Sequence, residues 1–382
     1  MGARLRAWGA AALVALAAAA LLGLSAAAWA DEGARDASLD AQAIDAYVGS
    51  GRAGVAVAVS DAGEVLAERY YGRVGGETSA AVDARTAFEW GRCSDLVVWV
   101  CVMQLVEEGA FDLDDAVAGL LPPGVVLPEG YGRLDVVDLM NHTAGLDVAM
   151  TASPASLPDG TRSVLPAFAL FDVATEFEPG SVVGYTPYDA LLAAAIVENA
   201  SGMAFVDYAD KNVFDRLGME GTYLMVGGSP TRLSQQAEGP VESLMLAKGS
   251  AGPGGTASLQ LATSSVLSCF GPVGDLIKLA NGAMCVEGQP GAFEAAQTAD
   301  EFFGATRTYA SLGAARVAHG MFAFPFSPGV YGMWASTGSG FSTSLYMDRS
   351  RGWAVAVAVN ESGRGDLVQG IPRTLVGRSD SV

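Results

Sequence analysis

From Ala53 to Ser60 the chain alternates Ala and Val, Asp61-Ala62-Gly63 supplies turn residues, and Val65, Leu66 and Tyr70 continue the apolar pattern. This predicts a β-hairpin. The other end of the chain repeats the arrangement, with Ser342–Met347 and Trp353–Val359 separated by the polar stretch Asp348-Arg349-Ser350-Arg351-Gly352. Between the two pairs lies a long, mainly helical and loop-rich region, and residues 31–50, polar and Ala-rich, read as a lead-in helix. Strands at both ends predict an α/β (α+β) fold: one antiparallel sheet assembled from the two termini, flanked by helices and carrying an inserted, mainly helical domain. The sheet part is placed at about residues 40–80 and 315–365, and the insert at about 81–314, within a unit spanning 31–382.

After Gly91 the pattern changes again. Leu96, Val97, Val98, Trp99, Val100, Val102, Met103, Leu105 and Val106 make a segment that is apolar on every side, closed by Glu107, Glu108 and Gly109. Such a helix belongs in the core. Its N-terminus can hold side chains rigidly at a cleft, where the positive end of the macrodipole favours an anion.

The first thirty residues stand apart. Arg4 and Arg6 precede an Ala/Leu/Gly/Val run from Trp8 to Leu24, ending in Ala28-Trp29-Ala30. That order reads as a secretory signal peptide, residues 1–30. The run is long enough that an uncleaved membrane anchor is the alternative, since roughly 20 apolar residues span a bilayer. Either way the folded part is expected outside the cytoplasm, secreted or in the cell envelope. With 42 acidic against 22 basic residues the net charge is −20, which argues against nucleic-acid partners and anionic lipid surfaces. Cys93, Cys101, Cys269 and Cys285 form no C-x-x-C pair. Cys93 and Cys101, two helical turns or about 12 Å apart, are too distant to bridge, and Cys269 and Cys285 pair only if the chain folds back between them. Mostly buried thiols are expected. Two histidines and no clustered ligands leave no expectation of a catalytic metal or cofactor.

Several segments, taken in order, carry a resemblance. They are Phe88–Gly109 followed by Phe111-Asp112-Leu113-Asp114-Asp115, then Leu139-Met140-Asn141-His142-Thr143-Ala144-Gly145-Leu146, then Glu178-Pro179-Gly180 through Glu198 with Ser201-Gly202 and Leu217-Gly218-Met219, and last His319-Gly320 with Gly340–Leu345. Together they resemble the serine β-lactamase and penicillin-binding-protein superfamily, in its class-C-like, D-Ala-D-Ala carboxypeptidase-like branch, over roughly residues 40–365. The resemblance implies three catalytic motifs, and each departs from the pattern here. At Ser-x-x-Lys the chain reads Arg92-Cys93-Ser94-Asp95, so nucleophile and helper are both replaced. At Tyr-x-Asn it reads Tyr185-Thr186-Pro187, keeping the tyrosine and losing the amide. The third motif, a cation followed by x-Gly on a strand, reads either Trp334-Ala335-Ser336 or Ser336-Thr337-Gly338, without the cation in either register.

No substitute motif is present. The residues three before Lys211, Lys248 and Lys278 are Tyr208, Met245 and Asp275, so Ser-x-x-Lys occurs nowhere, and neither G-x-S-x-G nor H-E-x-x-H appears. Ser94 is rotated by about 200° from the nucleophile position on a helix, and Cys93 by about 100°. Arg92 and Asp95, at helical i and i+3, are expected to bond to each other and fill the old cleft, since an unpaired buried charge is expensive. His142 and His319 are expected in structural roles, and Tyr185 as a packed aromatic unless Arg92 lowers its pKa. The expected function is therefore a secreted, catalytically silent protein on a serine-hydrolase scaffold, with a cell-envelope binding or regulatory role and a peptidoglycan peptide or an envelope protein as partner. The alternative is an active serine hydrolase of β-lactamase, D-Ala-D-Ala carboxypeptidase or esterase type, using Ser94 as nucleophile and Tyr185 as base.

Overall fold

A computed structural model describes residues 37–48, 53–75, 79–227, 245–246, 266–304, 307–309, 315–323, 329–336 and 340–379. The expected signal segment, residues 1–30, lies outside the described residues, as do Thr337 and Gly338 of the alternative third motif.

The predicted hairpin forms from β1 (Val55–Asp61) and β2 (Glu64–Tyr71), turning through Ala62 and Gly63, both with positive φ. Its partners come from the far end of the chain: β1 pairs antiparallel with β14 (Trp353–Val359), Val55 opposite Val359, and β14 with β13 (Ser342–Asp348). An eight-stranded sheet results, in the order β2-β1-β14-β13-β12-β11-β10-β9, with β12 Val330–Ser336, β11 Met321–Ala323, β10 Ala315–Ala318 and β9 Arg307–Tyr309.

The Ala/Val alternation has a packing purpose. Ala56, Ala58, Ala354, Ala356 and Ala358 face the large core, while Val55, Val57, Val59, Val355, Val357 and Val359 face a second cluster. Small residues on one face let α5 (Val273–Met284) lie close against β1 and β14. On the other face the valines pack under the terminal helices α1 (Ala37–Val48) and α6 (Gly365–Ser379), through Ile44, Leu367, Ile371 and Leu375. Period-two side-chain direction converts one sequence rhythm into two different interfaces.

On the inner side of the sheet, a 3₁₀ turn at Gly91–Ser94 runs into α2 (Asp95–Glu107), which is buried from Asp95 through Leu105. It packs against α4 (Pro187–Ser201), itself buried from Tyr188 through Glu198 and closed by Gly202 in the left-handed region. Short α3 (Val136–Met140) leads into the loop Asn141–Gly145. The region between the terminal strands also holds two small sheets. One is ordered β6-β8-β3-β7, from Tyr223–Val226, Leu267–Gly271, Thr86–Glu89 and Met245–Leu246; the other pairs β4 (Leu146–Met150) with β5 (Phe171–Thr175). All four cysteines are free, Cys93, Cys101 and Cys269 buried and Cys285 half-buried.

Candidate functional site

The start of α2, the loop after α3 and the start of α4 converge against the turn between β10 and β11. Two backbone bonds fasten the loops: Gly184 N–H donates to the His142 carbonyl (2.8 Å), and Gly180 N–H to that of Thr143 (2.8 Å). The Asn141 side chain accepts from His319 N–H at 2.9 Å, tying the same loop to the sheet. Gly320, at φ +77°, is obligatory there, because a Cβ would come within 2.8 Å of Trp99 Nε1 and 3.1 Å of the Met140 carbonyl.

Arg92 and Tyr185 meet in this space. The guanidinium carbon lies 4.2 Å from the centre of the Tyr185 ring and 4.8 Å from that of Phe322. A cation over two aromatic rings is attracted to both π faces. The expected Arg92–Asp95 ion pair is not formed: no carboxylate among the described residues lies within 4.0 Å of an Arg92 nitrogen. Arg92 Nη2 donates a long 3.4 Å bond to the Gly320 carbonyl, and the Tyr185 hydroxyl lies near enough to Asp95 to act on its carboxyl. Each side chain has found a different neighbour, and what couples them is charge across the cluster.

Three residues not anticipated as site components, His142, Asp189 and Phe322, complete it. His142, fully buried, sets its ring edge-on to Tyr185 (centroids 4.7 Å) and to Trp99 (5.8 Å). Its Nδ1 is 3.0 Å from Asp189 Oδ2 on the first turn of α4, and its Nε2 is 4.0 Å from Asp95 Oδ2. Asp189 was detectable in sequence as an acid inside an otherwise apolar helix start, a placement that demands a partner. Phe322 carried no signal.

The electrostatics follow from burial. Desolvation pushes the Asp95 carboxyl up to about 7 against the opposing pull of Arg92 and the Tyr185 bond. Asp189 is driven well above the carboxylate range by burial and then by Asp95, and His142 well below its usual value by burial and then by Arg92. Tyr185 is 43% exposed as a residue, yet its hydroxyl end reaches into the desolvated interior to Asp95. Burial and the Asp95 charge raise it well above 10, outweighing the downward pull of Arg92. Tyr185 is held as a neutral phenol beside Asp95.

The remaining predicted positions are dispersed. Ser94 Oγ accepts the Cys269 N–H at 2.9 Å, on the side of α2 that faces β8. Cys93 Sγ points at the Met333 carbonyl (3.7 Å), and burial raises its thiol pKa. Pro187 is the first residue of α4, behind Thr186, whose hydroxyl accepts the Tyr188 N–H at 3.3 Å, so this position serves as a helix start. Trp334 does not face the Arg92 turn: strand alternation sends Met333 into the large core and Trp334 to the second cluster, stacked on Tyr346 with centroids 6.4 Å apart. It touches the cluster through Phe322, at 5.4 Å between ring centres. Ser336 ends β12, its backbone paired opposite Ser342. A separate hollow of about 580 Å³ beside Asp135 and Asp138 includes neither Arg92 nor Tyr185. Among the described residues no His, Cys, Asp and Glu group is arranged to hold a metal ion.

The family model described as Beta-lactamase matches residues 41–376. The chain belongs to the β-lactamase family. Among curated relatives, penicillin-binding protein 4 of Amycolatopsis lactamdurans is 29% identical over 143 residues, 37% of this chain and 37% of that protein. The D-alanyl-D-alanine-carboxypeptidase/endopeptidase AmpH of Escherichia coli (strain K12) is 24% identical over 221 residues, 56% of this chain and 57% of that one. The match thus spans less than two thirds of either relative. Among solved structures, the octameric penicillin-binding protein homologue from Pyrococcus abyssi superposes with a TM-score of 0.66 at 16% identity, covering 89% of this chain and 76% of that one. The D-alanine carboxypeptidase AmpC from Burkholderia cenocepacia gives 0.65 at 16%, covering 90% and 99%. The β-lactamase-type fold and serine-hydrolase scaffold are therefore shared, and the antiparallel sheet with its helical body is the architecture anticipated from the chain's two ends.

Proposed function

We propose that this β-lactamase-family chain is a catalytically silent protein of the cell envelope that binds rather than cleaves, with a peptide of peptidoglycan as its partner class. The observation that carries the reading is the group facing Tyr185: a guanidinium clamped against its ring, where acyl transfer would need a hydroxyl and a neighbouring base. The hydroxyl on the same turn, that of Ser94, is engaged by the Cys269 amide. Removing either member of a catalytic unit costs orders of magnitude in rate, and removing both is scarcely worse than removing one. The peptide partner is supported by relatives named as D-alanyl-D-alanine carboxypeptidases, and the extracytoplasmic location by the character of residues 1–30.

Intact mass after treatment with a fluorophosphonate and a fluorescent penicillin tests the silent site, and no adduct is expected. Thermal shift with muropeptides tests binding, since a ligand held only by the folded state raises the melting temperature. A covalent adduct on Ser94 would replace this reading with the active-hydrolase alternative; unshifted melting would remove the peptide partner.

A further inference from the structure

The sheet of β4 and β5 is two-stranded, so each strand keeps an outer edge to which no other strand is bonded among the described residues. The bonds at either end set its backbone direction. Glu176 N–H donates to the Gly145 carbonyl (2.9 Å) and Thr151 N–H to that of Leu170 (2.8 Å), so Asp147 and Ala149, at even steps between Gly145 and Thr151, turn their peptide groups toward β5. Val148 and Met150 turn theirs outward. The side chains divide as regularly: Val148, Phe171 and Val173 lie against the core, whereas Asp147, Ala149, Asp172 and Ala174 share the exposed face. Met150, which ends β4, is 40% exposed. The root of the sheet is tied down by the Tyr131 hydroxyl, 2.6 Å from the Gly145 carbonyl and 2.7 Å from that of Phe177. Among the described residues no Lys, Arg or His nitrogen lies within 4.0 Å of the carboxylates of Asp147, Asp172, Glu176 or Glu178.

We propose that the free edge of β4 docks an extended, basic segment of a partner protein, added as a third strand. The outward main-chain groups of Val148 and Met150 supply the ladder. In the added strand every second residue shares the exposed face, where a Lys or Arg meets Asp147 and reaches Asp172 across the small Ala149; the residues between are apolar and continue the row of Val148 and Met150. Charge selects this occupant. Neither β4 nor β5 carries the Lys or Pro that commonly protects an edge, and a second copy of this chain would bring the same carboxylates against one another. The edge is separate from the Arg92 cluster, so the docking holds whether that cluster is silent or reactive.

Fluorescence anisotropy of the full chain with the labelled peptide Lys-Val-Lys-Val-Lys-Val-Lys tests it, against a peptide of the same composition with lysines and valines in separate blocks and against the alternating peptide N-methylated throughout. The block peptide carries the same charge and measures attraction to the net charge of −20 alone. The alternating peptide should bind saturably and at least about tenfold more tightly than either control, because only it can add a ladder to the charge contacts. Replacing both exposed acids, Asp147→Asn with Asp172→Asn, should weaken it about tenfold or more. Val148→Pro removes an outward amide and no bond to β5, and should erase the preference for the unmethylated peptide. If Val148→Pro does not fold, the two control peptides and the double Asn variant decide. Equal affinity for the alternating and block peptides, no loss on N-methylation, unchanged affinity in the double Asn variant, or no saturable binding by the parent would each overturn the proposal. So would sedimentation showing a dimer that the double Asn variant strengthens, which would give the edge to a second copy.

Discussion

His142 Nδ1 and Asp189 Oδ2 share a hydrogen bond of 3.0 Å in a part of the core where neither side chain meets solvent. The bond joins the loop after α3 to the first turn of α4 and fixes the ring against which Tyr185 packs at 4.7 Å. Burial holds both partners toward their neutral forms, Asp189 upward and His142 downward. The pair is a structural bracket for the cleft wall.

Asp189→Ala should therefore destabilise the protein, because it strands a buried imidazole nitrogen; the loss is about 1–3 kcal/mol. Asp189→Asn preserves a hydrogen-bonding group of the same shape and should lose less. Denaturant unfolding of the two variants and the parent checks the order. Equal losses would mean that the volume of the side chain matters and the bond does not.

Glu89, at the end of β3, is 1% exposed, and burial pushes its carboxyl up to about 8 with only Ser268 opposing. Neither carboxylate oxygen is reached by a well-formed hydrogen bond. The folded state therefore binds a proton that the unfolded chain, with an ordinary value of 4.5, has already released. Protons bound in excess by the native state make stability fall as pH rises, between about 4.5 and 8, and level off above. Glu89→Gln should remove this slope and be more stable than the parent at pH above 8, by on the order of a few kcal/mol. Asp95, pushed up to about 7, adds a slope of the same sign that ends about one unit lower, and it remains in the Glu89 variant. Unfolding free energies measured across that range give the answer; parallel profiles for parent and variant would show that Glu89 is ionised in the folded protein.

How much of this was legible in the sequence depends on the range of the interaction. The Ala/Val rhythm of β1 and β14 announced strands, and their pairing followed from the two chain ends having to share one sheet. The all-apolar α2 announced a core helix. The contact of Arg92 with Tyr185 followed only through the register of the motifs. The Arg92–Asp95 bond, argued from i and i+3 spacing, lost to competing partners that spacing does not reveal: two rings and a carbonyl for the arginine, a phenol for the aspartate. His142 and Asp189 lie 47 residues apart, so neither one's neighbourhood predicted the other.

Arg92→Ser places a hydroxyl at the start of α2 but leaves an acid, Asp95, rather than a base at i+3. Labelling by a fluorescent penicillin should stay at background, since the nucleophile has no base. Stability should fall by about 1–3 kcal/mol as the cation–π contacts and the charge opposing Asp95 disappear. The Asp95 carboxyl, no longer held down by the guanidinium, should titrate higher than in the parent, which carboxyl NMR can follow. A variant as stable as the parent, or one that becomes acylated, would contradict the account of Arg92 as a packed component of the cleft.

Ser94→Ala separates structure from chemistry at the one hydroxyl on the Arg92 turn. Its Oγ accepts the Cys269 amide at 2.9 Å, and Ser94 is 1% exposed, so truncation leaves a buried backbone N–H without its acceptor. The cost should be about 1–3 kcal/mol. That loss belongs to the junction of α2 with β8 and is independent of the contacts of Arg92 with Tyr185 and Phe322. Covalent labelling should be as low in the folded variant as in the parent. If the parent shows a slow labelling that Ser94→Ala removes without a change in melting temperature, then Ser94 is reactive, its bond to Cys269 is dispensable, and the orientation argued for the start of α2 is wrong.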